Sequence, residues 1–146
     1  MKRNAFYKEL KDYVKNYHPE LLLDEDFLQS RSENAEQTFI NCSSEGMNLE
    51  QSREEANTVL YAGLEFSTFA LVEDIIEEQF SNLNFSDTDK FAMQMYLMLQ
   101  PVFVKYNIGD DFDRSSAYDE LYNEITGYID DYVRKNELQQ ANSTGQ

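Results

Sequence analysis

Apolar residues recur at spacings of three and four along the chain, and this period most constrains the fold. The first such set is Phe6, Leu10, Tyr13, Val14 and Tyr17. It predicts a helix over residues 5–17, which ends at His18 because Pro19 disfavours the α conformation in the residue before it. No segment alternates apolar and polar residues between turn signals, as a half-buried strand does. The sequence therefore predicts an all-α fold.

Capping patterns mark the next two helices. Three acids at residues 24–26 place negative charge at the start of a second helix, where backbone N–H groups point outward. Its apolar positions include Arg31, through the aliphatic part of the side chain, and Gly46 is the predicted terminator. Asn48 followed by Gln51 is typical of a capping pair and predicts the start of a third helix.

Three further helices are predicted after Gly63, which ends the third. The predicted caps are Ser67 for the fourth helix, Ser86 with Asp89 for the fifth, and Ser115 or Ser116 for the last. Pro101 is expected to bend or restart the fifth helix. Gly127 lies inside the last helix, which indicates either a close crossing by another helix, the favoured interpretation, or a kink.

Length and composition predict one compact domain. The chain has 146 residues, of which 41% are hydrophobic and 14% aromatic, so a core can form without disulfides or metal. We expect a single-domain multihelical bundle of about six helices over residues 1–136. Residues 137–146 are polar and are expected to form a disordered tail.

The charge distribution is acidic but uneven. With 12 Lys and Arg against 28 Asp and Glu, the net charge is −16, which argues against direct nucleic-acid binding. Residues 1–18 nevertheless carry five bases and two acids. This basic first helix either complements its own domain or docks against another acidic protein.

The sequence also predicts a location. Cys42 is the single cysteine, which fits a reducing compartment, and the N-terminal residues lack the apolar run of a signal peptide. No run of 18 apolar residues is present to span a membrane. We therefore expect a cytoplasmic protein without membrane contact.

No catalytic constellation is found. A nucleophile and base would require Cys42 or a serine beside His18, the single histidine, and these two residues fall on different predicted elements. We expect Cys42 to be a small buried apolar side chain and His18 a residue at a helix end. No enzymatic activity, catalytic residue or cofactor is predicted.

No metal site is predicted either. The sequence contains no Glu-x-x-His motif for zinc or di-iron binding. The acidic loop after Gly109 contains Asp110, Asp111, Asp113 and Ser115. An EF-hand beginning at Asp111 would need Gly and Glu where the chain has Ser116 and Tyr122. We expect this loop to begin the next helix, with Phe112 directed inward.

Acidic and tyrosine residues are the remaining candidates. Paired carboxylates for acid–base chemistry could be drawn from Glu73, Glu77 and Glu78, or from Asp119, Glu120 and Glu124. Glu73 and Glu77 share a helix face opposite the apolar positions, and we expect them to be solvated with ordinary pKa values. Four tyrosines fall outside the apolar stripes: Tyr7, Tyr61, Tyr96 and Tyr128. These phenols either pack between helices that bury two faces or form part of a binding surface.

Three sequence blocks resemble a known family. They are His18–Leu21, Val59–Ser67, and the third block of Val102–Tyr106, Asp110–Phe112 and Tyr118–Tyr122. These blocks resemble domain-of-unknown-function family 1896, small helical proteins of Gram-negative anaerobes that are often found with conjugative transposon genes. The resemblance covers about residues 5–130. It implies a multihelical fold and a mobile-element setting, and it assigns no catalytic or binding residues.

Two functional hypotheses follow. The first is a non-enzymatic protein-interaction factor of a mobile genetic element, which binds an unidentified protein through an acidic, tyrosine-bearing surface. The alternative is a DNA mimic that occupies the basic groove of a nucleic-acid-binding protein and requires a contiguous acidic face. A homo-oligomer is compatible with both. An enzyme that uses only Asp, Glu, Tyr or Arg would require a deep pocket with buried acids.

Overall fold

A computed structural model describes residues 3–83 and 87–144, with side chains described as far as residue 136. Seven α-helices occur in this part: α1 (Ala5–Tyr17), α2 (Glu25–Ser44), α3 (Leu49–Leu60), α4 (Thr68–Gln79), α5 (Thr88–Met98), α6 (Gln100–Phe103) and α7 (Ala117–Thr144). Short 3₁₀ helices span Pro19–Leu21 and Phe112–Arg114. The described residues contain no strand, and the all-α prediction is confirmed.

The local signals that divide the chain into helices act as predicted. The Asp24 side chain accepts a hydrogen bond from the Phe27 N–H at the start of α2. Asn48 and Gln51 form a reciprocal capping box at the start of α3. Gly46 and Gly63 follow α2 and α3 with φ values of +98° and +79°, the left-handed region that glycine adopts without a Cβ clash.

Two of the later helix starts can be compared with prediction. The cap predicted at Ser86 lies outside the described residues, and the observed cap of α5 is Asp87, which accepts from the Lys90 N–H at 3.1 Å. Pro101 lies in the first turn of α6, so it restarts the helix as predicted.

The chain comprises two compact units, Met1–Ser67 and Thr68–Gln146. The first contains α1 to α3 and the second contains α4 to α7. The predicted single domain over 1–136 with a polar tail over 137–146 stays a prediction. The side chains of residues 137–144 and all of residues 145 and 146 lie outside the described part.

The core of the first unit lies between the antiparallel pair α2 and α3 and the facing side of α1. Its buried apolar residues are Phe6, Tyr7, Leu10, Val14, Leu28, Ala35, Ala56, Leu60 and Leu64. Arg31 joins α2 to the end of α3, because its guanidinium donates to the carbonyls of Val59, Leu60 and Ala62 at 3.3, 3.2 and 2.7 Å. It also lies over the Phe27 ring at 4.9 Å. The guanidinium of Arg31 therefore caps the end of α3, in addition to the predicted packing of the aliphatic part of its side chain.

In the second unit, an apolar stripe along α4 and the residue that follows it is buried. It consists of Phe69, Val72, Ile75, Ile76 and Phe80. On α7, Leu121, Ile125 and Ile129 are fully buried at helical spacing. The close helix crossing expected at Gly127 is wrong, because a Cβ built there would meet no atom within 4 Å.

Candidate protein-interaction surface

α4 presents a run of carboxylates on the side opposite its buried stripe. Glu73, Asp74, Glu77 and Glu78 fall within six residues of a helix that contains no lysine or arginine. Asp74, Glu77 and Glu78 are exposed, and Glu73 is half-buried. Among the described residues, no base forms an ion pair with any of the four.

The surroundings of Glu73 and Asp74 shift the pKa values of both acids. Partial burial raises the pKa of Glu73, and the negative charges of Asp89, Asp74 and Glu77 raise it further. The pKa of Asp74 is raised by burial and by the charges of Glu78 and Glu77. The expectation of an ordinary pKa for Glu73 is therefore wrong, because neighbouring side chains remove part of its water.

Two tyrosines of α7 lie beside these carboxylates. The Tyr122 hydroxyl donates to Glu78 Oε2 at 2.8 Å and accepts from Gln79 Nε2 at 3.0 Å. The Gln79 bond acts to lower the pKa of Tyr122, but burial and the Glu78 carboxylate outweigh it and the pKa is raised. Burial, together with the charges of Glu78 and Asp74, raises the pKa of Tyr118. Both phenols therefore stay protonated and act as hydrogen-bond donors at neutral pH.

We call this region the α4 acidic surface. It consists of Glu73, Asp74, Glu77, Glu78, Asp89, Tyr118 and Tyr122. A groove of about 430 Å³ opens on its α5 side. Glu73, Glu77 and Asp89 line the groove together with the apolar side chains of Ile76 and Phe80. The surface thus combines negative charge, phenol donors and an apolar recess.

Some acids elsewhere in the described residues are paired with bases, unlike the four of α4. Glu25 lies 3.2 Å from Arg3 and 3.9 Å from Lys11, and it accepts a 2.6 Å hydrogen bond from the Tyr7 hydroxyl. This bond lowers the pKa of Glu25. In the second unit, hydrogen bonds from Lys105 and Tyr106 hold the pKa of Glu124 below its usual range. The hydrogen bond between the Tyr106 hydroxyl and Glu124 raises the pKa of Tyr106 to about 12.

The pairing of Glu25 bears on the basic first helix. Two of its cations, Arg3 and Lys11, contact this acid of α2 within the same unit. Arg3 and Lys11 also lie over the Tyr7 ring, at 4.4 and 5.8 Å from its centroid. These contacts favour the interpretation that the helix complements its own domain.

His18 and Cys42, the candidates for a nucleophile and base, are not brought together. His18 is buried, with Nε2 2.7 Å from the Leu64 carbonyl and Nδ1 3.6 Å from Glu20 Oε1. Cys42 lies in the last turns of α2 and is half-buried, where the sequence predicts a buried side chain. Its position at the margin between core and solvent explains the difference.

The acidic loop before α7 forms the 3₁₀ helix Phe112–Arg114. Phe112 is directed inward as predicted, with 3% of its surface exposed, and the Ser115 hydroxyl donates to its carbonyl at 2.7 Å. Within residues 3–83 and 87–136, no three His, Cys, Asp or Glu side chains are placed to hold one metal ion. No helix of the described residues has both the length and the apolar character needed to cross a membrane.

Of the four tyrosines predicted to lie outside the apolar stripes, two are buried in the core and two are half-buried. Tyr7 and Tyr96 are buried, with 4% of the surface of each exposed, while Tyr61 and Tyr128 are half-buried. These positions favour burial by helices that pack on two faces. The tyrosines on the α4 acidic surface are different ones, Tyr118 and Tyr122 of α7.

The three sequence blocks hold each unit together. In the first unit, the Tyr13 hydroxyl and His18 Nε2 both contact the Leu64 carbonyl, so the first and second blocks meet. In the second unit, the third block packs on itself: the Phe112 ring lies 6.1 Å from Tyr106 and 6.4 Å from Tyr118. These residues connect loops to helices in both units.

A family model for a domain of unknown function, DUF1896, matches residues 3–138. The chain belongs to the DUF1896 family. The resemblance carried by the three blocks is thereby confirmed over nearly the whole chain.

One solved structure is similar to this DUF1896 chain across its length. It is protein PG0816 from Porphyromonas gingivalis, with 29% sequence identity, a TM-score of 0.83 and coverage of 90% of both chains. No curated protein matches the chain. The comparisons therefore support the family and the helical fold.

Sequence reasoning missed the composition of the α4 acidic surface. The i, i+4 spacing of the acids on α4 is visible in the sequence, but their proximity to Asp89 and to Tyr118 and Tyr122 is not. The available signal was the absence of any base in α4 next to a tyrosine-bearing helix. That signal indicates a negatively charged helix face. The positions of Asp89, Tyr118 and Tyr122 beside it follow only from the packing of α4 against α5 and α7.

Proposed function

We propose that this DUF1896 chain is a non-enzymatic protein-interaction factor that binds a basic segment of a partner protein through the α4 acidic surface. The observation that supports the proposal is the run of four carboxylates on α4 without a base in ion-pair contact among the described residues. We propose a mobile-element setting for this function as well, as the resemblance of the three sequence blocks implies.

The unpaired carboxylates carry a cost in stability. Like charges four residues apart on a helix destabilise it by about 0.2–0.5 kcal/mol per pair, and α4 contains two such pairs, Glu73 with Glu77 and Asp74 with Glu78. Elsewhere Glu25 and Glu124 contact bases that offset this repulsion. A basic partner segment would offset it on α4.

The tyrosines and the groove add a rigid contact surface and an apolar recess to the carboxylates of α4. Tyr122 is held by two hydrogen bonds, so it loses little conformational freedom when a partner packs against it. The groove between Glu73 and Asp89 has an apolar wall at Ile76 and Phe80. Lysine and arginine have aliphatic stems and charged ends, and these match an apolar recess with carboxylates at its edge.

DNA mimicry is the second candidate, and the charge density of α4 favours it. Glu73 to Glu78 spans about 7.5 Å along the helix axis, so its four charges have nearly the linear density of B-DNA, about one charge per 1.7 Å. However, a protein bound to DNA contacts about 6–10 phosphates. The run on α4 is too short to replace that many, and a protein partner is therefore preferred.

A capture experiment with matched variants tests the proposal. The full chain is immobilised as wild type, as Asp74→Asn/Glu77→Gln/Glu78→Gln, and as Glu50→Gln/Glu54→Gln/Glu55→Gln, which neutralises three exposed acids of α3. Proteins from an extract of the source organism are then quantified by mass spectrometry. We expect a partner that is retained by the wild type and the α3 variant, lost from the α4 variant, and released by salt.

Retention of the same proteins by all three forms would contradict the proposal. The captured protein also distinguishes the two candidates. A DNA mimic would retain a DNA-binding protein that duplex DNA displaces in competition, whereas an ordinary interaction factor would retain a partner that duplex DNA leaves bound.

A further inference from the structure

α5 and α6 carry a segment without charge in an otherwise highly charged chain. Residues 91–104 contain no Asp, Glu, Lys or Arg, and this is the longest uncharged run of the sequence. At the 27% charged content of the whole chain, such a run would be expected to hold about four charges. The nearest charged residues in the sequence are two cations, Lys90 and Lys105.

The outer side of this segment is apolar and exposed. Leu97 has 60% of its surface exposed, Val104 80% and Met98 38%. Leu97, Pro101 and Val104 follow each other at spacings of four and three, and all three are exposed. Leu99, between α5 and α6, keeps an α-region conformation with φ −87° and ψ 0°, so the chain continues in a nearly helical path. We call Leu97, Met98, Pro101 and Val104 the α5–α6 ridge.

We propose that the α5–α6 ridge is an interface between two copies of this chain related by a two-fold axis. Two chains of charge −16 repel each other, and at physiological salt this repulsion acts over about 8 Å, so the charges near the contact decide the approach. The segment that carries the ridge has no carboxylate, so a second acidic copy is repelled less there than at the acidic parts of the surface. Lys105, which follows the segment, is already paired with Glu124 and adds no free positive charge. The α4 acidic surface, in contrast, would repel its own copy.

Two-fold symmetry also favours an apolar contact. The same patch of both copies must be complementary to itself, which an apolar ridge satisfies and a patch of one charge sign does not. Leu97 and Val104 are separated by seven residues, about 10 Å along a helix. In an antiparallel crossing, Leu97 of one copy therefore lies opposite Val104 of the other.

The size of the ridge sets the expected strength. Four side chains over two turns bury less than the roughly 800 Å² per partner of a standard stable interface. We therefore expect a weak dimer, with a Kd on the order of 10–100 μM. The interface does not depend on the proposed function, because it lies on different residues and needs no other protein.

Sedimentation equilibrium of the full chain tests the inference, over concentrations from about 5 to 500 μM to bracket this Kd. The average mass of the wild type should rise from monomer towards dimer. Leu97→Glu and Val104→Glu should each weaken self-association by about tenfold or more, since each places a carboxylate against an apolar side chain of the other copy. Circular dichroism verifies that the variants remain helical.

Leu23→Glu and Leu49→Glu are matched controls. These leucines have 90% and 72% of their surfaces exposed and are not part of the ridge, so the self-association of both variants should equal that of the wild type. A wild type that stays monomeric at every concentration would overturn the inference, and the ridge would then be free for a different protein. A dimer that persists in both ridge variants would overturn it as well.

Discussion

Gly127 occupies a helical position where a side chain could be added without a clash. It lies within α7, its φ is not positive, and an added Cβ would meet no atom within 4 Å. Because glycine leaves the unfolded chain more conformational freedom than alanine, we expect Gly127→Ala to raise the free energy of unfolding by about 0.5–1 kcal/mol. Urea denaturation followed by circular dichroism measures the change.

Gly63 provides the matched control for this prediction. Its φ of +79° is strained for any residue with a Cβ, so Gly63→Ala should lower the free energy of unfolding by about 1 kcal/mol. A loss of stability in Gly127→Ala would show that the position is constrained by something other than local packing. The sequence predicts that Gly127 lies in a helix, but it does not predict which residues surround it. The space around a glycine depends on elements far along the chain.

Residue types that act locally were predictable, and those that act across elements were not. The Asn48 and Gln51 cap depends on residues three apart, and the structure contains it. The guanidinium of Arg31 reaches carbonyls 28 to 31 residues away, and nothing in its local sequence indicates that contact. For the same reason, the exposure of Cys42 and the partial burial of Glu73 could not be read from helical spacing.

At the scale of the elements, the α2–α3 pair depends on Arg31 to satisfy the end of α3. The last carbonyls of a helix have no partners within it, and a cation there also interacts favourably with the helix dipole. Arg31→Met keeps the apolar stem and removes the guanidinium. We expect it to lower the free energy of unfolding by about 1–2 kcal/mol, measured by urea denaturation.

Two substitutions distinguish this cap from a general effect of charge. Arg31→Lys retains the charge but replaces the rigid, planar guanidinium with an ammonium on a flexible stem, and it should recover part of the lost stability. Arg134→Met removes an exposed arginine of α7 that pairs with Asp130, and we expect a change below about 0.5 kcal/mol. Equal losses in Arg31→Met and Arg134→Met would contradict the capping role.

α4 shows the opposite situation, an element whose own charges oppose its folding. Because the pKa of Glu73 is raised in the folded chain, its protonation favours folding, and this contribution is lost as the pH rises through the raised pKa. At neutral pH, Glu73→Gln should therefore raise the free energy of unfolding by about 0.3–0.5 kcal/mol.

The pH dependence gives this prediction its check. Below the unfolded pKa of Glu73, the carboxyl is protonated in both states, and the advantage of Glu73→Gln should disappear. Glu36→Gln makes the same change at an exposed position of α2 and should have a smaller effect at neutral pH. Urea denaturation at several pH values measures both variants. A stability gain in Glu73→Gln that persists at acidic pH would contradict the electrostatic cause.

At the scale of the whole molecule, acidic charge dominates both units. The sequence of the first unit contains seven bases and thirteen acids, and that of the second contains five bases and fifteen acids. The excess is larger in the unit that carries the α4 acidic surface. This distribution was readable from the sequence once the division at Ser67 was known, but the division itself follows from tertiary contacts.

An excess of one charge sign predicts how salt affects stability. Raising the ionic strength from about 0.01 to 0.15 M shortens the Debye length from roughly 30 to 8 Å, which screens repulsion among the acids and also weakens the ion pairs. Exposed ion pairs contribute about 0–1 kcal/mol each, and the described ones leave most acids unpaired, so the loss of repulsion outweighs the loss of attraction. We therefore expect salt to raise the Tm, by about 2–4 °C for each kcal/mol by which the free energy of unfolding increases. The variant Asp74→Asn/Glu77→Gln/Glu78→Gln should show a smaller rise in Tm, because part of the repulsion is already removed. A wild-type Tm that falls as salt is added would show that attractive ion pairs dominate instead.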